Sequence, residues 1–382
     1  MKPVFNQRIA DAIEKRKQAG LERRLQPMAG ANKPQFSVGD KGFINFSSND
    51  YLGLAASKEL ADAWIKGIEL YGSGAAASPM VTGFSPAHQQ LEDDLCSWLG
   101  YERAVLFGSG FSANQAVLFT LLEKQDLLLQ DKLNHASLME AGMLSPAKMK
   151  RFRHNDTEHL KSLLTESPAL VVTEGAFSMD GDQAPVAEIS RLCRNSGSWM
   201  MLDDAHGIGV LGQRGEGSIC LTPHKPELLI VTFGKAFGLS GAAVLCDQNT
   251  GDFLTQFARH HVYSTAIPPA QAHALSKATT MLQTQQWRRD RLAELQDIYH
   301  NALADCEGYV NTDTPIKPFI CGTVEKTMGL AEQLKGLGVW VKPIRPPTVP
   351  AASCRIRITL TSNHTPQQVT ELAESIIRFQ DK

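Results

Sequence analysis

One lysine, Lys235, stands between two apolar runs, Leu228-Leu229-Ile230-Val231 and Ala242-Ala243-Val244-Leu245. The first run is short and ends in turn chemistry, the pattern of a buried strand. Lys235 therefore falls where that strand leaves its sheet. Around it, Gly234, Gly238 and Gly241 let backbone or ligand come close. An ordinary lysine, with a pKa of about 10.4, is an ammonium at neutral pH and no nucleophile. To condense with a carbonyl it must shed its proton, through desolvation or a neighbouring cation. Moving the pKa to about 7 costs roughly 4–5 kcal/mol, which a bound carbonyl compound offsets by capturing the amine. Thr232, three residues earlier, is placed to hydrogen-bond an anion such as a phosphate. The plain alternative is a solvated lysine on a loop.

Other residues share the position just past a strand. Gly108-Ser109-Gly110-Phe111-Ser112-Ala113 follows an apolar run and opens a helix, where free N–H groups and the helix dipole favour phosphate. Its spacing also fits a dinucleotide fingerprint, with Asp131 about twenty residues on. A nicotinamide oxidoreductase is thus a rival reading, and a ligand-free tight turn another. Asp203 and His206 follow the run 199–202. A carboxylate there can pair with a pyridinium nitrogen and keep it charged, making the ring an electron sink. A zinc site would need a third ligand, and no residue at a suitable spacing supplies one. An N-capping aspartate beside a satisfied histidine is the simpler alternative. His135 either stacks on a flat ring or merely sits near a helix start. Asn49, in the polar string Ser47-Ser48-Asn49-Asp50-Tyr51, either caps a helix or meets a substrate carboxylate. Arg355, Arg357 and Thr359 alternate along one face of a strand.

The elements that must position these residues follow from periodicity. Strands at 104–107, 127–129, 170–173, 199–202 and 228–231 alternate with helices at 111–122 and 185–193. The alternation predicts an α/β fold: a mainly parallel sheet covered on both faces. Ligands in such sheets gather beyond the carboxyl ends of the strands. Gly110, Ser178, Asp203, His206 and Lys235 all fall there. Ahead of this core, apolar residues from Phe5 to Leu25 predict an amphipathic helix ending in Arg23, Arg24 and Pro27. A hairpin follows around Gly39-Asp40-Lys41-Gly42, then a helix ending at Gly72 and another from Ser85-Pro86 to Gly100. A long helical tract begins at Pro268-Pro269 and resumes from Trp287 to about Ala304. The chain then reads strand 316–320, helix 324–337, strand 339–344, strand 355–360 and helix 367–379, with a Thr365/Gln368 capping box. These readings divide the chain into an N-terminal helix and hairpin (1–45), a large α/β domain (46–285) and a smaller α+β domain (286–382).

Composition sets bounds. Of 382 residues, 43% are hydrophobic and 20% charged, and the net charge is −2 with no run of one sign. That argues against nucleic acid or membrane as the main partner. Seven scattered cysteines without a Cys-x-x-Cys suit free thiols in a reducing compartment. No signal peptide or membrane span is legible, so a cytoplasmic location is expected.

Together, Asp203-x-Ala-His206-Gly207, Thr232-Phe-Gly-Lys235, Asn134-His135-Ala-Ser, the stretch Asn45 to Leu54 and Arg355-Ile-Arg357-x-x resemble the motifs of the α-oxoamine synthases. The family comprises pyridoxal 5'-phosphate acyltransferases of fold type I, the aspartate-aminotransferase-like fold. The resemblance covers nearly the whole chain. It implies that Lys235 carries the cofactor and later moves the α-proton, that Asp203 pairs with the pyridine nitrogen, and that His135 stacks on the ring. Ser178 and His206 would contact the ring-hydroxyl region. The Gly110 and Phe111 amides and Thr232 would hold the phosphate, helped by Ser264 and Thr265 of a second subunit in a homodimer. Arg23, Asn49, His135, Thr348 and Arg357 would face the substrates, with Arg357 on the amino-acid carboxylate. The stretch Ile344 to Pro350 most resembles the biotin-pathway member. That implies L-alanine and either pimeloyl-CoA or pimeloyl-acyl carrier protein as substrates. One departure is the tract Ala75-Ala76-Ala77-Ser78-Pro79, where relatives are richer in glycine and often carry a basic residue. This strip lies near the acyl-thioester path in the family.

Overall fold

Seven strands build the central sheet, and their side-chain alternation explains why it is buried on both faces. The computed structural model describes residues 4–23, 25–164, 168–346 and 348–380. An N-terminal hairpin pairs β1 (Gln35–Val38) with β2 (Lys41–Asn45). The large sheet then takes β3 (Arg103–Phe107), β4 (Leu127–Asp131), β5 (Lys148–Phe152), β6 (Ala169–Glu174), β7 (Trp199–Asp203), β8 (Leu228–Thr232) and β9 (Ala242–Cys246). Their order is β3-β9-β8-β7-β6-β4-β5. Only β9 runs against its neighbours, pairing antiparallel with both β3 and β8. Leu229, Val231, Ala243 and Leu245 pack into the core on one face. Leu228, Ile230, Ala242 and Val244 pack into the core on the other.

Because β3, β4, β6, β7 and β8 point one way, their carboxyl ends form one edge. That edge carries the turns after Phe107, Asp131, Glu174, Asp203 and Thr232.

A second, three-stranded sheet has the order β10-β13-β12, from β10 (Ile316–Gly322), β12 (Lys342–Ile344) and β13 (Cys354–Thr359). The expected strand 339–344 is in fact two. Its first part, β11 (Val339–Trp340), pairs in parallel with β2 of the hairpin, while β12 joins β13. Pro318 and Pro343 both lie on edge strands of the second sheet, where a missing N–H is tolerated.

One further expectation needs correction. The first helix ends at Gln18, well short of Arg23. Gly20 turns left-handed at φ +64°, its N–H bonds the Lys17 carbonyl, and that of Leu21 bonds the Arg16 carbonyl. This closing pattern satisfies the last carbonyls and stops the helix. Leu21 and Leu25 therefore lie outside it, and the helix buries none of its residues. Arg24 lies outside the described residues. The strand β5 and the helices Thr157–Leu163, Gln248–Phe257 and Arg259–Val262 had no counterpart in the sequence reading. Lys148-Met149-Lys150-Arg151-Phe152 is an edge strand with three basic residues, so it lacks the apolar run that marks its neighbours. Thr365 and Gln368 do form the expected capping box.

Candidate active site

Lys235 leaves β8 by a turn whose backbone is fixed at both ends. The Phe233 N–H bonds the Gly241 carbonyl and the Gly238 N–H bonds the Lys235 carbonyl. No hydrogen bond or ion pair to the Lys235 amine exists among the described residues. Burial pushes this amine below the ordinary lysine value, against the opposing pull of Asp203 and Glu174. Arg357 adds its charge to the downward push. This is the direction that frees a nucleophile.

The carboxylate of Asp203 ends β7 and is held from two sides. Asn114 Nδ2 donates to it at 2.7 Å and the Ala205 N–H at 3.1 Å. Two bonds leave acceptor capacity on a carboxylate. Asn114 also donates to the Ser137 hydroxyl at 3.0 Å, which ties the helix Gly110–Leu121 to the helix that follows His135. Asn114 has no counterpart in the sequence reading; its place one turn into the helix after Gly110 was the available signal. Glu174 went unnoticed too. It ends β6 in register with Asp203 on β7, so the two acids share one face of neighbouring strands. Burial and the Asp203 charge hold Glu174 well above the usual carboxylate range, which favours its neutral form.

At the end of β3, Ser109 caps the helix by accepting from the Ser112 N–H. The Gly110 and Phe111 N–H groups make no hydrogen bond among the described residues. A Cβ at Gly110 would come within 3.5 Å of the Thr232 hydroxyl oxygen, so the helix N-terminus and Thr232 adjoin. Free donors, a helix dipole and a hydroxyl make an anion cradle. Asp131 gives no support to the dinucleotide reading. Its buried carboxylate accepts from the Leu133 and Asn155 N–H groups at 2.8 and 2.9 Å, and meets His154 Nδ1 at 2.9 Å. Those bonds leave it engaged in its own loop.

His135 is itself the N-cap of the helix Ala136–Leu144 and lies edge-on to Phe111, with centroids 6.5 Å apart. Burial lowers its pKa, with Asp203 pulling the other way. His206 is buried, and burial, then Lys235, Arg357 and His135, hold it well below the ordinary histidine value. It is neutral. Its Nδ1 lies 2.5 Å from the hydroxyl of Tyr51, a residue with no part in the sequence reading beyond its place in the polar string.

Arg357 on β13 reaches this edge from the second sheet. Its Nε donates to the Ser178 carbonyl at 2.6 Å, Nη1 to Thr359 Oγ1 at 2.9 Å and Nη2 to Asn49 Oδ1 at 3.1 Å. All three acceptors are neutral. Its neighbour Arg355, by contrast, pairs with the carboxylate of Asp180. Arg357 is 8% exposed and has no acidic partner among the described residues. A buried guanidinium without a counter-ion is costly unless an anion completes it.

The structure thus brings together Asn49, Gly110, Phe111, His135, Ser178, Asp203, His206, Thr232, Lys235 and Arg357. The other four residues stand apart from this cluster. Ser264 and Thr265 are exposed, next to Ala266, whose N–H bonds the Ala77 carbonyl of the small-residue tract. Arg23 and Thr348 are exposed as well. Arg345 Nη2 bonds the Gly20 carbonyl at 2.7 Å, which draws their two segments to a common rim.

Sheet order, crossovers and this cluster at the carboxyl edge define a fold-type-I, aspartate-aminotransferase-like α/β protein. The family described as aminotransferase class I and II matches residues 41–376, and the chain belongs to it. The expected kinship with the α-oxoamine synthases is also borne out. The chain is 59% identical over 377 residues to the 8-amino-7-oxononanoate synthase of Vibrio atlanticus, covering 98% of this chain and 94% of that protein. To the protein of the same name from Vibrio cholerae it is 59% identical, covering 99% and 98%. Among solved structures it resembles the 8-amino-7-oxononanoate synthase of Francisella tularensis, with TM-score 0.77, 29% identity and coverage of 89% and 99%. It also resembles the serine palmitoyltransferase of Sphingomonas wittichii, with TM-score 0.89, 25% identity and coverage of 99% and 97%.

Proposed function

We infer that this protein is an 8-amino-7-oxononanoate synthase: it condenses L-alanine with a pimeloyl thioester, releasing CO2 and the free thiol carrier. The observation that carries the reading is the buried, uncompensated Arg357 facing the same edge as Lys235 and Asp203. An amino acid brings the carboxylate that such a guanidinium lacks. The near-full-length identity to relatives of that name supports the choice of alanine and pimeloyl thioester.

The residues present fit pyridoxal 5'-phosphate. The free N–H groups at Gly110 and Phe111, with Thr232 beside them, suit its phosphate. Asp203, anchored by Asn114, retains acceptor capacity for a ring N–H. Lys235, whose amine has no hydrogen-bond or ion-pair partner among the described residues, is placed to hold the cofactor covalently. When bound, pyridoxal phosphate supplies an electron sink for the pair released at the amino-acid Cα.

The chain's own part is binding, orientation and proton traffic. Arg357 clamps the alanine carboxylate, and Asn49 steadies the guanidinium from behind. Lys235, its amine held below the ordinary pKa, takes the proton from the alanine Cα and later returns one. His135 covers one face of the site, and Ser178 and His206 line the ring-hydroxyl side. Such fixed placement is where the rate gain of a two-substrate reaction arises. In our reading the working form is a homodimer in which Ser264 and Thr265 of one subunit reach the phosphate of the other. Arg23 and Thr348 belong to the thioester entrance. We place the enzyme in the cytoplasm, in keeping with seven scattered cysteines that include no Cys-x-x-Cys; among the described residues no helix is long and apolar enough to cross a membrane.

The test is steady-state release of free thiol from pimeloyl-CoA or pimeloyl-acyl carrier protein, with alanine, glycine and serine in parallel. The reading expects turnover with alanine and pimeloyl thioester above every other pair. Preference for another amino acid or a shorter acyl group would overturn it.

A further inference from the structure

The phenol of Tyr51 is fully buried and ends against His206, 2.5 Å from its Nδ1. The loop that carries it is unusually well fastened. Asp50 accepts from the Leu54 and Ala55 N–H groups at 2.8 and 3.0 Å. The Tyr51 carbonyl accepts from the Ser362 N–H at 2.8 Å, that of Leu52 from Arg288 at 2.6 Å, and that of Gly53 from Asn363 at 3.2 Å. The phenol is therefore placed by backbone contacts on both sides of it and has little room to turn away.

A neutral imidazole has one N–H and one bare nitrogen, and the partner of one nitrogen decides which is which. Two arrangements satisfy the Tyr51 contact. In the first, the hydroxyl donates to a bare Nδ1. In the second, an Nδ1–H donates to the phenol oxygen, whose own hydrogen must then go to Asn49 Oδ1. That oxygen is 3.4 Å from the phenol and already accepts from Arg357 at 3.1 Å. Burial pushes the phenol pKa up to about 12, with the charge and hydrogen bond of Arg357 pulling the other way, so the hydroxyl keeps its proton and has it to donate. The first arrangement therefore wins.

We propose that Tyr51 is a positioning residue that locks His206 in the tautomer with its proton on Nε2, so that this histidine meets the site as a hydrogen-bond donor. The Nε2 atom has no protein partner among the described residues, and Lys235, Arg357 and His135 are the charged or titratable groups around the ring. A donor fixed there suits an anionic ring oxygen. This last step rests on the pyridoxal-phosphate reading above, whereas the tautomer itself does not.

The test uses two measurements on the same protein. In 15N-histidine-labelled protein stripped of cofactor, long-range proton–nitrogen correlation reads the tautomer, with the His206 signals assigned by their loss in His206→Asn. A pyridine-type Nδ1 and a pyrrole-type Nε2 at neutral pH are expected. In Tyr51→Phe both signals should move toward the average of a mixed population, and pyridoxal phosphate should bind about tenfold more weakly. A pyrrole-type Nδ1 in the wild type, or unmoved His206 signals in Tyr51→Phe, overturns the lock. The wild-type measurement stands even if the variant fails to fold. A moved signal with unchanged cofactor affinity overturns the link from lock to cofactor. A protein that shows the expected tautomer yet takes up no pyridoxal phosphate contradicts the functional reading and leaves the lock intact.

Discussion

Arg357→Ala isolates the group that we assign to the alanine carboxylate. Arginine has five N–H donors. Three of them are engaged by Ser178, Thr359 and Asn49, which leaves two for a ligand. Two charge-assisted hydrogen bonds at about 1.5–3 kcal/mol each amount to about 3–6 kcal/mol. At about 1.4 kcal/mol per factor of ten, kcat/KM for alanine should fall about a hundred- to ten-thousand-fold. Arg357→Lys keeps the charge without the fork, so it should recover only part of that loss. The assay is thiol release with alanine varied at saturating thioester, then thioester varied at saturating alanine. The loss should appear in the alanine KM, with the thioester KM changed little. Thermal melting of the variants controls for the lost contacts to Ser178 and Asn49. An unchanged alanine KM in a folded Arg357→Ala protein would refute the assignment.

Other perturbations test separate parts of the account. Asp203→Asn keeps the side chain's size and one acceptor oxygen, which can still serve the Ala205 N–H or Asn114, yet should lower turnover by at least a hundredfold; near-normal kcat in the folded variant would remove Asp203 from the chemistry. His154 lies between Asp131 and Asp182, at 2.9 and 2.8 Å, and their hydrogen bonds and charges hold its pKa up at about 10, against the effect of burial. A raised folded-state pKa stabilises fully below the unfolded value of about 6.5, and that contribution is lost as pH climbs through about 10. Urea midpoints should therefore fall between pH 6.5 and 10, and His154→Gln should flatten the slope; parallel profiles would exclude the triad as the cause. Gly67→Ala places a Cβ 2.7 Å from the Ala270 carbonyl oxygen, where two helices meet, and should destabilise by about 1–3 kcal/mol in denaturant melts. A neutral result would mean that this helix pair has slack.

Much of the site was legible because its residues sit where strands end. A buried strand announces itself by an apolar run, and the next polar residues must then lie on the ligand edge. Asp203, His206, Thr232 and Lys235 were read that way, and so was the Gly110 turn. Tyr51, Asn114 and Glu174 escaped because their importance lies in contacts across 155, 89 and 29 residues, which no local spacing encodes. The split of 339–344 into two sheets was hidden for a similar reason: partner strands far apart in sequence decide it. The first helix was drawn too long because apolar spacing continues past Gly20, where backbone geometry ends the helix. Its apolar residues Phe5, Ile9 and Ile13 remain exposed, so periodicity marked a face that finds no partner among the described residues.

Reduction of the cofactor-loaded protein with borohydride, followed by peptide mass spectrometry, shows whether Lys235 is the residue that carries the cofactor. The account expects bleaching of the visible colour and a pyridoxyl mass on the peptide that carries Lys235, with Lys235→Ala showing neither. An unmodified Lys235 peptide from fully loaded protein, or an adduct on another lysine, would contradict it.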